Sequence, residues 1–384
     1  MFIKNYSKLA TTKQRKQMLS ILETGLTASH PKTFLKNKIY VNKNKLKIIN
    51  KTYDLSKYNN VYLIGFGKMA VSTAEELEKI VPIKQGLIID TISKKLKKTK
   101  VLKGTHPFPS QTNINNTKKL ISFVKKLNKN DLLLVIVSGG GSSLLFYPTI
   151  SLKEYSTKLK KVIFSGIDIE KLNKFRKKYS KIKAGKLAKL IPCKFINLYF
   201  SDVSKNKLNI ISSGPTFTKK ADNILLLDNK TALKAMQSKA KSLGYKTTII
   251  IPTKKQNART YGNLLLKKLK DKPKHCILSG CETIVKVKGK GKGGRSQELC
   301  LSSLKTIKNS TLTSVDSDGI DGTTNVAGAI IDNQTNNIAK KKKLDQDKHL
   351  NNNNAYDFLK QTNSLIKTGK TGINVMDFVV VVSE

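Results

Sequence analysis

VYLIGFGKMAVSTAEELEKI, residues 61–80, reads as an apolar strand (61–64) that runs through a glycine turn, GFGKMA at 65–70, into a helix. Glycines in such a turn let the main chain approach a phosphate, and the start of the helix offers it unpaired N–H groups and a partial positive charge. Lys68 adds a point charge. The same residues also fit a GxGxxA dinucleotide fingerprint, with Asp90 about 20 residues on, where an acid binds the ribose. A third reading needs the glycines only to make the turn tight.

Outward from this unit, a strand at 86–89 is followed by a loop containing THPFP (105–109) and a helix at 113–127. The run LLLVIV at 132–137 then reads as a strand buried on both faces. It opens directly into SGGGSS (138–143), consecutive glycines whose N–H groups suit an anion-binding nest. Strands alternating with helices predict a mainly parallel sheet covered on both sides. The fold class is therefore α/β, with a Rossmann-like, doubly wound N-terminal domain. Helices are expected at 152–165, 168–178 and 181–190, and a strand at 195–200 ends at Ser201-Asp202. After the Gly214-Pro215 turn the alternation resumes, with helices at 231–243 and 258–269. Strands follow at 247–251, 275–278, 283–287, 312–315, 327–331 and 378–382. We divide the chain into domains at 1–225 and 226–384, with the amphipathic helix at 12–28 in the first.

The length supports two domains, since 384 residues exceed the roughly 250–300 at which one core stops growing. Hydrophobic residues at 39% and charged residues at 26% fit neither a disordered nor a membrane protein. The net charge of +48 would suit nucleic acid, but the lysines are spread over nearly every expected helix and no recognition motif accompanies them. We expect no nucleic-acid partner and no membrane. Arginine is scarce: Arg15, Arg176, Arg259 and Arg295 are the four in a lysine-rich chain, which singles them out as sites where a planar fork matters. Cys193, Cys276, Cys281 and Cys300 form no CxxC pair, which fits a reducing cytoplasm and argues against zinc and disulfides.

Three more motifs carry chemistry. SDV (201–203), followed by SSGPT (212–216), puts Asp202 where a strand meets a loop, able to take a proton, bind a metal or simply cap the turn. GKGKGGRSQE (289–298) combines a flexible glycine loop with Arg295, suited to phosphate or carboxylate. DSDGIDGTT (316–324) offers Asp316, Asp318 and Asp321 for magnesium or nucleotide contact, with tight Asp-Gly turns as the equal competitor. A second glycine cradle in the first half favours phosphoryl transfer over hydride transfer.

In order, GFGKMA, THPFP, SGGGSS, RKKYSKIKAGKLA, SDV with SSGPT, GKGKGGRSQE, DSDGIDGTT with VAGAIID, and TGKTGINVMD closely resemble the glycerate 2-kinase family of the MOFRL type. The resemblance spans nearly the whole chain. It implies a Rossmann-like domain and a second α/β MOFRL domain with the active site in the cleft between them, and ATP, a divalent cation such as Mg²⁺ and D-glycerate as ligands. It implies Lys68, Asp202, Arg295 and Asn374 as catalytic residues, Asn374 orienting substrate. Nucleotide and phosphate binding would fall to Gly65, Gly67, Ser138, Gly139, Gly140, Gly141, Ser142, Gly293 and Gly294. Arg176 and His106 would bind substrate, and Asp202 and Asp318 the metal. The expected product is 2-phosphoglycerate, and a homodimer is left open. The chain departs from the family pattern at Lys178, Ala184, Lys205, Asn206, Cys281 and Lys370, which bears on substrate preference. The rival is an NAD(P)-dependent hydroxypyruvate reductase, carried by GFGKMA and Asp90; such enzymes normally use a histidine as acid and base, and His106 is the one in a suitable loop.

Overall fold

A computed structural model of the chain describes residues 1–164, 169–203 and 207–384. Ser165 and Asp168, at the ends of two expected helices, and the departures at Lys205 and Asn206 lie outside the described residues. The chain divides into two compact units, Pro31–Asp228 and a second made of Met1–His30 with Asn229–Glu384. The N-terminal segment, placed with the first domain in the sequence reading, belongs to the second unit, and its packing gives the reason. The helix Lys13–Ser29 buries Met18, Leu19, Leu22 and Leu26 and packs against the helix Asn229–Ser242. Gly25 is the point of close approach: a Cβ there would stand 2.5 Å from the sulfur of Met236. Arg15, also buried, donates to both carboxylate oxygens of Asp332 (2.6 and 2.7 Å) and to Thr335 Oγ1 (2.8 Å).

In the unit Pro31–Asp228, six parallel strands form one sheet: β1 (Val61–Phe66), β2 (Ile83–Asp90), β3 (Thr99–Lys103), β4 (Leu132–Val137), β5 (Lys194–Phe200) and β6 (Asp222–Leu227). Their order is β3-β2-β1-β4-β5-β6, that of a doubly wound sheet whose direction of winding reverses between β1 and β4. Every residue of β4 is buried, as its unbroken apolar run requires. The edge strands β3 and β6 escape a sequence reading because lysine or asparagine interrupts their apolar pattern, which suits a half-covered edge. A three-stranded antiparallel sheet over residues 39–54 was likewise unforeseen. The expected helix at 181–190 does not form. Ala184 (φ 54°) and Gly185 (φ 76°) take left-handed backbone there, and only a 3₁₀ turn, Ala188–Leu190, follows.

The second unit holds a mixed sheet of β7 (Lys246–Ile250), β8 (His275–Gly280), β9 (Ser310–Asp316), β10 (Gly328–Ile331), β11 (Leu365–Ile366) and β12 (Asp377–Ser383). The order is β7-β8-β12-β9-β10-β11; of the neighbouring pairs only β7 with β8 is parallel, the rest being antiparallel. Residues 283–287, expected as a strand, make a single bridge from Ile284 to Asn257. No helix among the described residues is long and apolar enough to cross a membrane.

Candidate active site

In a doubly wound sheet, ligands bind beyond the carboxyl ends of the strands where the winding reverses. Here β1 and β4 flank that point, and each ends in one of the two glycine motifs. The two turns are joined to each other: Lys68 N–H donates to Gly139 O (2.9 Å) and Met69 N–H to Ser138 Oγ (3.2 Å). Gly67 has a φ of 118°, and a Cβ on it would lie 2.2 Å from Ser138 Oγ and 2.5 Å from Ser138 O, so neither a side chain nor its backbone strain is tolerable there. Gly65, expected as a phosphate contact, instead lies within β1, where a Cβ would meet Ile136 and Ile88 at 3.0 Å. Its small size serves sheet packing.

Lys68 and His106 converge on the second turn. A Cβ on Gly140 (φ 84°) would stand 3.0 Å from Lys68 Cγ and 3.4 Å from the His106 ring. The loop carrying His106 is fastened by buried Asn113, whose amide donates to Thr105 O (2.9 Å) and Ser143 O (2.7 Å) while its oxygen accepts from Thr105 N–H (2.9 Å). The SSG turn closes the other side. Ser212 Oγ donates to Ser138 O (2.7 Å), and a Cβ on Gly141 would lie 2.2 Å from that hydroxyl. Ser142 Oγ and Ser213 Oγ lie 2.9 Å apart, and Ser213 donates to Asn173 Oδ1 (3.0 Å). One helical turn beyond Asn173, on Ile169–Lys178, comes Arg176. Burial draws Arg176 below its ordinary value, while the charges of Tyr155 and Asp202 act in the opposite sense.

Asp90 does not stand ready for a ribose. It is 1% exposed, and its carboxylate accepts from Val71 N–H (3.0 Å) and from Thr91 Oγ1 (3.2 Å) as well as Thr91 N–H. It therefore holds the start of the helix Ala70–Ile80, satisfying a donor that a helix leaves orphaned. The dinucleotide reading loses its acid.

The second unit gathers another set of loops at the end of its sheet where Asp316 pairs with Asp377. Arg295, which opens the helix Arg295–Ser303, is held by three carboxylates. Nε and Nη2 grip Asp377 in bidentate fashion (2.6 and 2.7 Å), and Nη2 also reaches Asp316 and Glu282 (both 2.9 Å). Burial alone would lower its pKa; Asp377, Glu282 and Asp316 more than reverse this and keep it charged. Its remaining amino group, Nη1, has no hydrogen-bond partner among the described residues. Asp321 is buried and accepts from the N–H groups of Ser296 (3.1 Å) and Gln297 (2.9 Å), a cap for the same helix. Gly294 makes room for it, since a Cβ there would lie 2.3 Å from Asp321 Oδ1. Asn374 is buried between Thr371 and Val375, which bind Ser317 through its carbonyl and its hydroxyl.

The glycine-rich loop is not the flexible cradle that its composition suggests. The N–H groups of Lys288 and Gly289 donate to Asn353 Oδ1 (2.7 and 3.0 Å) and that of Lys290 to Asn352 Oδ1 (3.0 Å). Gly291 N–H donates to Asn352 O (2.8 Å) and Lys292 N–H to Asn354 Oδ1 (3.1 Å). These five donors are committed to the asparagine run at 352–354.

Lys68, Asp202, Arg176 and His106 thus stand in one unit, and Arg295, Asn374 and Asp318 in the other. No group of three or more His, Cys, Asp or Glu among the described residues is arranged to hold a metal. The four cysteines are buried free thiols, and burial pushes Cys276 and Cys281 up to about 12, so neither is a nucleophile at neutral pH. A cavity of about 530 Å³, lined in part by Thr12, Gln17, Tyr245, Lys274 and Ser383, lies at the opposite end of the second sheet from Asp316 and Asp377. It is remote from these loops.

Residues 17–243 match the family described as a domain of unknown function, DUF4147, and residues 275–377 match the MOFRL family. A glycerate 2-kinase of Picrophilus torridus is 31% identical, with 98% of each chain covered. A D-glycerate 2-kinase of Thermotoga maritima is 30% identical over 87% of this chain and 93% of its own. The crystal structure of a glycerate kinase from Thermotoga maritima superposes with a TM-score of 0.81 at 28% identity, covering 96% of this chain and 99% of that one.

Proposed function

The chain belongs to the glycerate 2-kinase family, and we propose that it transfers the γ-phosphoryl group of ATP to the 2-hydroxyl of D-glycerate, giving 2-phosphoglycerate. The observation that carries this reading is the pair of interlocked glycine turns at the point where the sheet reverses, with Lys68 between them. Phosphoryl transfer asks of a protein mainly that it position the reactants and meet the negative charge of the transferring group. Lys68 supplies a cation beside the turn at Gly140. Asp202, whose charge acts on Arg176, accepts the proton of the attacking hydroxyl. Arg176 and His106 bind the carboxylate end of the substrate. In the other unit, Asp377 fixes one edge of the Arg295 fork, so that Nη1 is the group offered to phosphoryl oxygens. Asn374 orients the substrate.

Magnesium usually reaches kinases with ATP, held by one or two carboxylates and the phosphates rather than by an all-protein cage. Asp202 and Asp318 are the carboxylates we assign to it. Asp316 fits less well, because Arg295 already occupies its carboxylate. When bound, the ion neutralises phosphate charge. Four buried thiols with no disulfide suit a cytoplasmic enzyme.

The decisive assay incubates purified protein with D-glycerate and Mg·ATP and, in parallel, with hydroxypyruvate and NADH. ADP formation without NADH oxidation is expected; NADH oxidation without ADP would reverse the assignment. Phosphorus NMR of the product distinguishes a 2-phosphate from a 3-phosphate.

A further inference from the structure

Lys183 lies in the segment RKKYSKIKAGKLA and has no part in the chemistry above. Its side chain is wholly buried. Among the described residues it has no carboxylate partner; Nζ donates instead to two main-chain oxygens, Leu145 O (3.2 Å) and Ser212 O (3.4 Å). Burying a lysine without a counter-ion is expensive, and an apolar side chain of the same length would fill the space at lower cost. Burial and the nearby Arg176 charge both hold its pKa well below the ordinary lysine range.

Its two acceptors identify what it holds. Leu145 ends the short helix Gly141–Leu144 that follows the SGGGSS turn, and its carbonyl is of the kind a helix end leaves unpaired. Ser212 belongs to a run of three left-handed residues, Ser212 (φ 53°), Ser213 (φ 64°) and Gly214 (φ 60°), which for the serines is a strained conformation that surrounding contacts must maintain. Lys183 reaches Ser212, and the next two residues continue the grip: Ala184 N–H donates to Ser213 O (3.1 Å) and Gly185 N–H to Gly214 O (2.8 Å). The hydroxyls of that turn point the other way, Ser212 to Ser138 O and Ser213 to Ser142 and Asn173.

We propose that Lys183 is a positioning residue for phosphoryl transfer: by joining the carbonyls of Leu145 and Ser212 it keeps the SSG turn in its left-handed form against the SGGGSS turn, so that both present their polar groups to one anion. The inference rests on the kinase reading above. Lys183 itself touches no substrate.

The test uses full-length wild type, Lys183→Met and the double variant Lys183→Met/Ser212→Gly, each assayed for kcat and for KM toward D-glycerate and Mg·ATP, with thermal melts alongside. Lys183→Met is expected to lower kcat by at least about thirtyfold, in the range that a displacement of about 1 Å at a reacting site produces. Glycine at 212 takes positive φ without strain. It should therefore recover at least about fivefold of that kcat, a rescue that a lysine needed only for folding would not show. A folded Lys183→Met with near wild-type kcat, or a double variant no faster than the single one, overturns the assignment. Should Lys183→Met fail to fold, Ser212→Thr decides, because a β-branched residue resists positive φ while the hydroxyl that donates to Ser138 O and Lys183 both stay in place. A loss of kcat in a folded protein supports the proposal and unchanged turnover overturns it. Wild type inactive with D-glycerate and ATP overturns the kinase reading and the lysine assignment together; active wild type with equally active Lys183→Met overturns the lysine assignment alone.

Discussion

A carboxylate at the end of a strand can bind a ribose or hold the neighbouring helix, and the choice depends on which donors lie beside it. Asp90 meets Val71 N–H and is used up there, which no spacing rule reveals. Arg295 shows the opposite case. Its rarity in a lysine-rich chain marks it as a site for a fork, and the fork is present, though its nearest partners are Asp377, Asp316 and Glu282. Arg295→Lys keeps the charge but loses the bidentate grip on Asp377, so steady-state kinetics should show kcat lower by at least about tenfold. Near wild-type turnover would remove Arg295 from the mechanism. Lys68, Gly67 and the serine-glycine turn are legible in the sequence because each sits inside one short motif. Asn173 and Ser213 are not, since their pairing joins residues 40 apart that carry no signature of their own.

At the scale of elements, an apolar run with no polar break announces β4, whereas β3 and β6 hide behind lysine and asparagine. Turns are harder still, because their conformation is fixed by what packs on them. Gly67→Ala would drive a methyl group to within 2.2 Å of Ser138 Oγ and force the two cradles apart. We expect kcat to fall about a hundredfold in assays at saturating substrate, a magnitude typical of a misplaced reacting group. The asparagine run that fastens the glycine-rich loop makes a separate prediction. Asn353→Ala removes the acceptor for two N–H groups and a donor to Glu298 (3.0 Å), and urea denaturation should register a loss of about 1–3 kcal/mol. An unchanged midpoint would show that the loop holds its shape unaided.

For the whole molecule, length and alternation of strands and helices foretell two α/β units, and the structure supplies both. What linear reading misses is the allegiance of the first thirty residues, because an amphipathic helix advertises an apolar face without naming the surface that will cover it. Arg15 and Asp332, far apart in sequence and buried as a pair, record that allegiance. Removing one partner strands the other charge, so Arg15→Met should destabilise the second unit by about 3–5 kcal/mol. Hydrogen exchange should quicken in residues 229–384 and stay nearly unchanged in Pro31–Asp228; equal acceleration throughout would refute this. The discontinuity also sets a timetable. On the ribosome, the helix Lys13–Ser29 emerges before the unit Pro31–Asp228 yet finds its cover only after translation has passed Ser242, when the intervening unit already has its full sheet. For that interval the nascent chain trails an unsatisfied greasy stripe, and a pause or truncation downstream of Asp228 would leave it as a handle for chaperones or for aggregation.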